Sequence, residues 1–309
     1  MIGRILEIGT PGKFLKLYRG FCIIEEKGSE IGRIALDDLE SVVLHSPDGL
    51  LSNQLLSEFA TRNIPVILCN EKHMPIGIYW GLNGHYQGSK RINLQATLSL
   101  PKRKQIWQQI VKEKISNQAT VLKAAKRDYR DLEYFASNVK SGDSDNREAM
   151  AAQMYWPRLL GTDFRRDPDA DGINAFLNYG YAILRASVTR SIVAVGLHPA
   201  FSLFHHNAED PTPLANDLME PWRPIVDIAV YKLHLSEKRE LTPSVKKELT
   251  KVLEWDMILN NQHSPLRLCI QRLTNSFIDF CEGITSNLLF AKLPSIDEIR
   301  DEWSEPCTD

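Results

Sequence analysis

Residues 205–227 read HHNAEDPTPLANDLMEPWRPIVD, and the rest of the 309-residue chain is organised around them. Two histidines close a loop, and a helix start then presents Asp217 and Glu220 three residues apart. An i, i+3 pair shares one helix face, so the two carboxylates repel unless a positive charge sits between them. A divalent cation is the usual answer, and an imidazole nearby makes a mixed oxygen and nitrogen ligand set. Pro221 follows at once. It donates no backbone hydrogen bond and its ring crowds the Asp217 carbonyl, so a kink is expected there, with a carbonyl left free beside the carboxylates. Pro224 repeats the disturbance, and a helix built for stability alone would not carry both prolines.

Upstream, residues 171–196 form a long apolar helix pattern, with Phe176, Leu177, Ile183, Leu184, Val188 and Ile192 on its buried stripe. Asn174 and Asn178 stand one turn apart on it and need partners if buried. A helix starting near Arg147 places Glu148 in its first turn, where a lone acid ordinarily complements the helix dipole at the surface. From Pro101 the pattern is helical, with Ile106, Trp107, Ile110 and Val111 on one stripe. Lys102, Arg103, Lys104, Lys112, Lys114, Lys123, Lys126, Arg127 and Arg130 crowd this region, either as a solvated face or as a track for a phosphate backbone. Downstream, helices are expected over residues 244–259 and 266–289.

Residues 5–79 read mainly as short strands, except for a helical spacing of Leu55, Leu56, Phe59 and Ala60. The stretch GLNGHYQGSK at residues 81–90 is linker-like, and its Gly-Ser-Lys does not fit the spacing of a phosphate-binding loop. The expected fold is α+β in two domains. A small N-terminal, mostly antiparallel β domain (1–83) precedes a linker (84–100), a larger all-α domain (101–294) and an acidic tail (295–309).

The net charge of −2 excludes a uniformly basic nucleic-acid binder, so any such role must come from a local patch. Five scattered cysteines with no CxxC motif support neither a zinc ribbon nor a redox pair. No run reaches transmembrane length and the N-terminus lacks the apolar core of a signal peptide, so a cytoplasmic protein with no membrane partner is expected.

Four separated motifs carry a family resemblance: NREAMAA at 146–152, DADGINAFLNYGYAIL at 169–184, GLHP at 196–199, and the run from FHH at 204–206 to LANDLMEPWRPIVD at 214–227. In that order they resemble the CRISPR-associated integrase family, the catalytic subunit of the spacer-acquisition complex. The segment NIPVILCNEKHMPIG at 63–77 looks most like members from type II systems. The resemblance implies that Glu148, His205 and Glu220 hold Mg²⁺ or Mn²⁺, with Asp217 as an auxiliary acid and His205, rather than His206, as the ligand. It implies a homodimer through the β domains, two such dimers flanking a dimer of the small second subunit of the complex; an RNA-guided effector nuclease is a candidate further partner, and the sequence leaves open whether it must join. It implies a reaction in which a 3′-hydroxyl of a short DNA attacks a phosphodiester of the repeat. Arg158, Arg165 and Arg166 follow Glu148 and are candidates for clamping DNA phosphates. Arg223 is a candidate for bracing the carboxylates. The alternatives are a catalytically silent DNA-binding scaffold, which would not need the full acid and histidine set, and an unrelated metal-dependent phosphodiesterase.

Overall fold

The structure, a computed structural model, describes residues 4–62, 64–70, 75–79, 81, 87–205, 207 and 209–304. Its chain divides into two compact units, Met1–Asn93 with Thr189–His198, and Leu94–Val188 with Pro199–Asp309.

The first unit runs β1 (Arg4–Ile8), β2 (Lys13–Tyr18), β3 (Phe21–Glu26), β4 (Ser29–Ala35), β5 (Leu39–Leu44), β6 (Leu50–Leu51), α1 (Asn53–Thr61), β7 (Val66–Cys69) and β8 (Pro75–Tyr79). Arg19-Gly20 and Lys27-Gly28 both take positive φ, which is what two-residue hairpin turns require, and they join β2 to β3 and β3 to β4. The resulting sheet has the order β4-β3-β2-β6. A second sheet, β1-β5-β7-β8, is mixed: β1 and β7 both pair with β5 in parallel, and only β7–β8 is antiparallel. The expected antiparallel pattern therefore holds for the hairpins, and not around β5 or between β2 and β6, which also pair in parallel. Parallel neighbours need a crossover, and α1 supplies one between β5 and β7. Leu15, Val42, Leu55 and Phe59 are buried in the core of this unit.

The second unit begins within α2 (Gly88–Ala96), which lies in the stretch expected as linker. It continues through α3 (Leu100–Ala124), α4 (Arg130–Ser137), α5 (Arg147–Leu160), α6 (Ile173–Ala194, of which the end from Thr189 belongs to the first unit), α7 (Pro213–Met219), α8 (Arg223–Leu235) and α9 (Pro243–Thr250). β9 (Asp256–Leu259), β10 (Gln262–Pro265), α10 (Leu266–Glu282) and α11 (Ile296–Ser304) complete it. The sequence places a strand-rich part before a helical one, and the structure has that order. Pro101 lies in the first turn of α3, and Ile106, Trp107, Ile110 and Val111 are buried as their spacing requires. Two helix expectations are corrected. The helix expected to reach residue 259 stops at Thr250, and Asn260-Asn261, both at positive φ, turn β9 into β10. α10 ends at Gly283, whose φ of 78° is the left-handed C-cap.

Most of the acidic tail is the helix α11. Ile299 and Trp303, one turn apart on α11, face inward: Ile299 is buried and Trp303 Nε1 donates to the Ile228 carbonyl on α8 at 3.0 Å. Cys22, Cys269 and Cys281 are buried free thiols, and burial pushes Cys22 and Cys281 up to about 12, which leaves them unreactive. Among the described residues no helix is long and apolar enough to cross a membrane.

α6 and α8, which flank the site described below, meet where Gly180 faces Val226. A Cβ on Gly180 would overlap the Val226 Cγ1 methyl. Gly180→Ala should therefore destabilise the protein by about 1–3 kcal/mol, read as a fall in denaturant midpoint. Val226→Ala in the same chain should recover part of that loss by making room. Additive losses in the double variant would show that the two side chains do not compete for this space.

Candidate active site

Glu148 is placed by the turn before its helix. Asp143 accepts from the backbone N–H of Arg147 at 2.8 Å and of Glu148 at 3.1 Å, capping α5 from outside. Gly142 makes this turn possible, since it sits at a φ of 68° and a Cβ there would press on the Lys104 side chain.

The two prolines set the geometry of residues 217–223. Pro221 and Pro224 have no N–H to give the Asp217 and Glu220 carbonyls. The Glu220 N–H turns to the Asp217 carbonyl and the Arg223 N–H to the Glu220 carbonyl, making a tight 3₁₀ turn, Glu220–Trp222, between α7 and α8. The Asp217 carbonyl is therefore not left free. Asn117 on α3 donates to the Pro221 carbonyl at 2.9 Å and ties the turn to α3.

Asp217 and Glu220 do not act as one pair. Asp217 is fully buried and accepts from three successive backbone N–H groups: Leu203 at 2.6 Å, Phe204 at 3.1 Å and His205 at 3.2 Å. It also lies 2.6 Å from His205 Nδ1. That contact, against the desolvation of the ring, holds the His205 pKa above its usual value, with added attraction from Asp217, Glu220 and Glu148. Asp217 thus fixes the imidazole through Nδ1 and leaves Nε2 as the ring nitrogen for other partners. His206 lies outside the described residues.

Glu220 instead meets Glu148 through a cation. Lys114 on α3 places Nζ 2.5 Å from Glu148 Oε1 and 2.6 Å from Glu220 Oε2. Arg223 Nε lies 2.9 Å from Glu220 Oε1. Burial alone would raise the Glu220 carboxyl, but the Arg223 guanidinium and Lys114 ammonium outweigh it and hold it below the usual range. Burial likewise works to lower the Lys114 pKa, and Glu220 and Glu148 more than offset it. Glu220 and Lys114 therefore both stay charged.

Lys114 is the functional residue that the sequence reading left in a crowd. Lys102, Lys104, Lys112 and Lys123 are exposed as a solvated face would be. Lys114, however, falls seven residues after Trp107 and four after Ile110, on the buried stripe of α3.

A metal ion would find suitable donors here. Glu148 and Glu220 converge on one cationic nitrogen, Glu220 Oε2 is buried and accepts no regular hydrogen bond, and His205 has one ring nitrogen fixed by a carboxylate. Among the described residues no three acidic, histidine or cysteine side chains already surround one point. The ammonium of Lys114 stands between the two glutamates instead.

Behind the site, Asp227 on α8 accepts from Tyr155 at 2.9 Å and from Tyr181 at 2.5 Å. The Arg223 guanidinium lies 4.7 Å from the Tyr181 ring centroid, linking this buried cluster to Glu220. The three arginines singled out from sequence all have partners within the chain. Arg158 pairs with Asp131 at 2.5 Å. Arg166 donates to Asn174 at 3.1 Å and Asn178 at 2.6 Å, which are the partners those asparagines needed. Arg165 is exposed and donates to the Thr162 and Phe164 carbonyls at 2.8 and 2.9 Å, which do not neutralise its charge.

The helical unit thus gathers two glutamates on one lysine, with a carboxylate-fixed histidine close enough to feel the charge of both. The family described as CRISPR associated protein Cas1 matches residues 6–256. The chain is 36% identical over 308 residues to the CRISPR-associated endonuclease Cas1 of Neisseria meningitidis, covering 97% of this chain and 99% of that protein. The chain therefore belongs to the Cas1 family. Two solved structures share its fold. One is a casposase bound to integration product, with a TM-score of 0.76, 19% identity, and coverage of 99% of this chain and 96% of that one. The other comes from a Cas6-RT-Cas1–Cas2 complex, with a TM-score of 0.76, 16% identity, and coverage of 94% and 36%.

Burial raises the Asp227 carboxyl from 3.8 to about 6, against the two tyrosine hydrogen bonds and Arg223, which lower it. Between those values the folded chain keeps a proton that the unfolded chain has released. Stability should therefore fall as pH rises through this window, by roughly 2–3 kcal/mol, and level off above it. Asp227→Asn should flatten this part of the pH profile in urea denaturation. An unchanged slope in the variant would place the titration elsewhere.

Proposed function

We propose that this chain is a metal-dependent DNA integrase and endonuclease of CRISPR adaptation, joining the 3′-hydroxyl of a short DNA to a phosphodiester of a repeat. The observation that carries this reading is the convergence of Glu148 and Glu220 on one cationic nitrogen, beside a histidine whose Nδ1 is held by Asp217. Family membership and the full-length likeness to an endonuclease support it.

Glu148, Glu220 and His205 Nε2 would hold Mg²⁺ or Mn²⁺, the imidazole favouring Mn²⁺. The ion, when bound, supplies positive charge for the phosphoryl oxygens and lowers the pKa of a hydroxyl. The protein's own part is positioning. Asp217 keeps the imidazole oriented, and its full set of backbone donors fits it for that task rather than for direct ligation. Arg223 holds one oxygen of Glu220 so that the other stays turned to the centre. Of the three arginines, Arg165 is the exposed one placed to offer its charge to DNA; Arg166, half-buried on two neutral amides, and Arg158, paired with Asp131, would have to exchange these partners. The working assembly is a homodimer with DNA and a small second subunit. A fold neighbour solved in a Cas6-RT-Cas1–Cas2 complex supports the second subunit, and an effector nuclease is a further proposed partner.

Strand transfer into a supercoiled repeat plasmid, with and without the second subunit, tests this. Glu148→Ala and Glu220→Ala should abolish joining while retaining most DNA affinity, which phosphate contacts supply. Arg165→Glu should instead weaken binding and reduce the salt slope by about one unit. Normal joining by either glutamate variant would refute the assignment, and an unchanged slope would remove Arg165 from the DNA surface.

A further inference from the structure

Phe204 precedes His205 and is 46% exposed, although it is a large apolar side chain in a well-anchored loop. Its ring lies flat on the indole of Trp107, with centroids 4.4 Å apart and planes 4° from parallel. Trp107 itself is 1% exposed, and its ring also meets the His205 imidazole edge-on at 5.3 Å. The Phe204 backbone cannot swing away, because its N–H and those of both neighbours are bound to the buried Asp217 carboxylate. Hydrophobic burial would ordinarily draw a phenylalanine inward. Here the same clamp that sets His205 fixes Phe204 with its ring partly open, 5.6 Å from the imidazole.

We propose that Phe204 is a nucleobase-stacking residue, on which a base next to the reacting phosphodiester extends the Trp107–Phe204 stack. This rests on the DNA-joining reading of the site and adds a contact to the base rather than to the phosphate. A neutral ring offers nothing to an anion, but every base has a π-face that can lie on it, so the contact is tolerant of sequence. The rigid support matters: a platform already ordered by Trp107 and Asp217 loses little side-chain freedom when a base arrives. It would hold the sugar next to the reacting phosphate in place and limit how far the reacting end can slide past His205.

The test uses the full chain with its second subunit and a short duplex with single-stranded 3′ ends. 2-Aminopurine is placed in turn at each of the last three nucleotides, and binding is followed by fluorescence and by anisotropy over a range of salt. The wild type should quench the probe strongly at one of these positions. Phe204→Ala should lose that quench and weaken binding about 5- to 150-fold, the range of one base–aromatic stack, with the salt slope unchanged because no phosphate contact is lost. Phe204→Trp should restore both. Phe204→Leu, which keeps apolar packing on Trp107 without an aromatic face, should behave like the alanine variant and guards against a simple folding loss. Equal quenching by wild type and Phe204→Ala, or full affinity in Phe204→Leu, would overturn the proposal while leaving the integrase reading intact if wild type still joins strands. A wild type that neither binds nor joins DNA would remove both.

Discussion

Two carboxylates that share a buried site repel by several kcal/mol when a few ångströms apart, and in this protein the Lys114 ammonium is what allows it. Glu220 is almost wholly buried and Glu148 largely so, and both rest on one nitrogen from a third helix. α3, α5 and the turn before α8 are joined at this point by the two ion pairs of Lys114. The arrangement is costly to break from one side, because removing a single partner strands a charge in a poorly solvated place. A divalent ion would answer the same repulsion, and the second charge it brings would compete with Lys114 for the position.

Around that centre the prolines decide where the displaced backbone carbonyls find their partners. Without N–H groups at 221 and 224, the chain tightens into a 3₁₀ turn that satisfies both displaced carbonyls and turns the Glu220 side chain toward α3. Asn117 takes the outward carbonyl of Pro221. Asp217, one turn earlier, is left to organise the loop that carries Phe204 and His205. A single helical segment thus serves two tasks, with one acid holding backbone and imidazole and the other facing the cation.

Much of this was legible in the sequence, and the rest was hidden for definable reasons. The strand-rich start, the apolar stripes of α3 and α6, and the disturbance at Pro221 all follow from local periodicity and proline chemistry. The shared role expected of Asp217 and Glu220 did not, since spacing gives a face and not a partner, and three loop amides claimed Asp217. Lys114 stood on the buried stripe at heptad spacing from Trp107, but its basic neighbours on the solvent side masked it. Asn174 and Asn178 announced a need for partners, while the identity of Arg166 as that partner depended on how the intervening loop closes. The β9–β10 hairpin was missed because a helical apolar pattern ran up to it. Asn260-Asn261, two residues that tolerate positive φ, was the available signal.

The most direct test of the shared-cation account is an anomalous diffraction map from crystals soaked in Mn²⁺. The account predicts one strong peak bound by Glu148, Glu220 and His205 Nε2, with Lys114 Nζ withdrawn from between the glutamates and Asp217 still on His205 Nδ1. A peak ligated by Asp217, or an ion bound elsewhere while Lys114 keeps both glutamates, would contradict it.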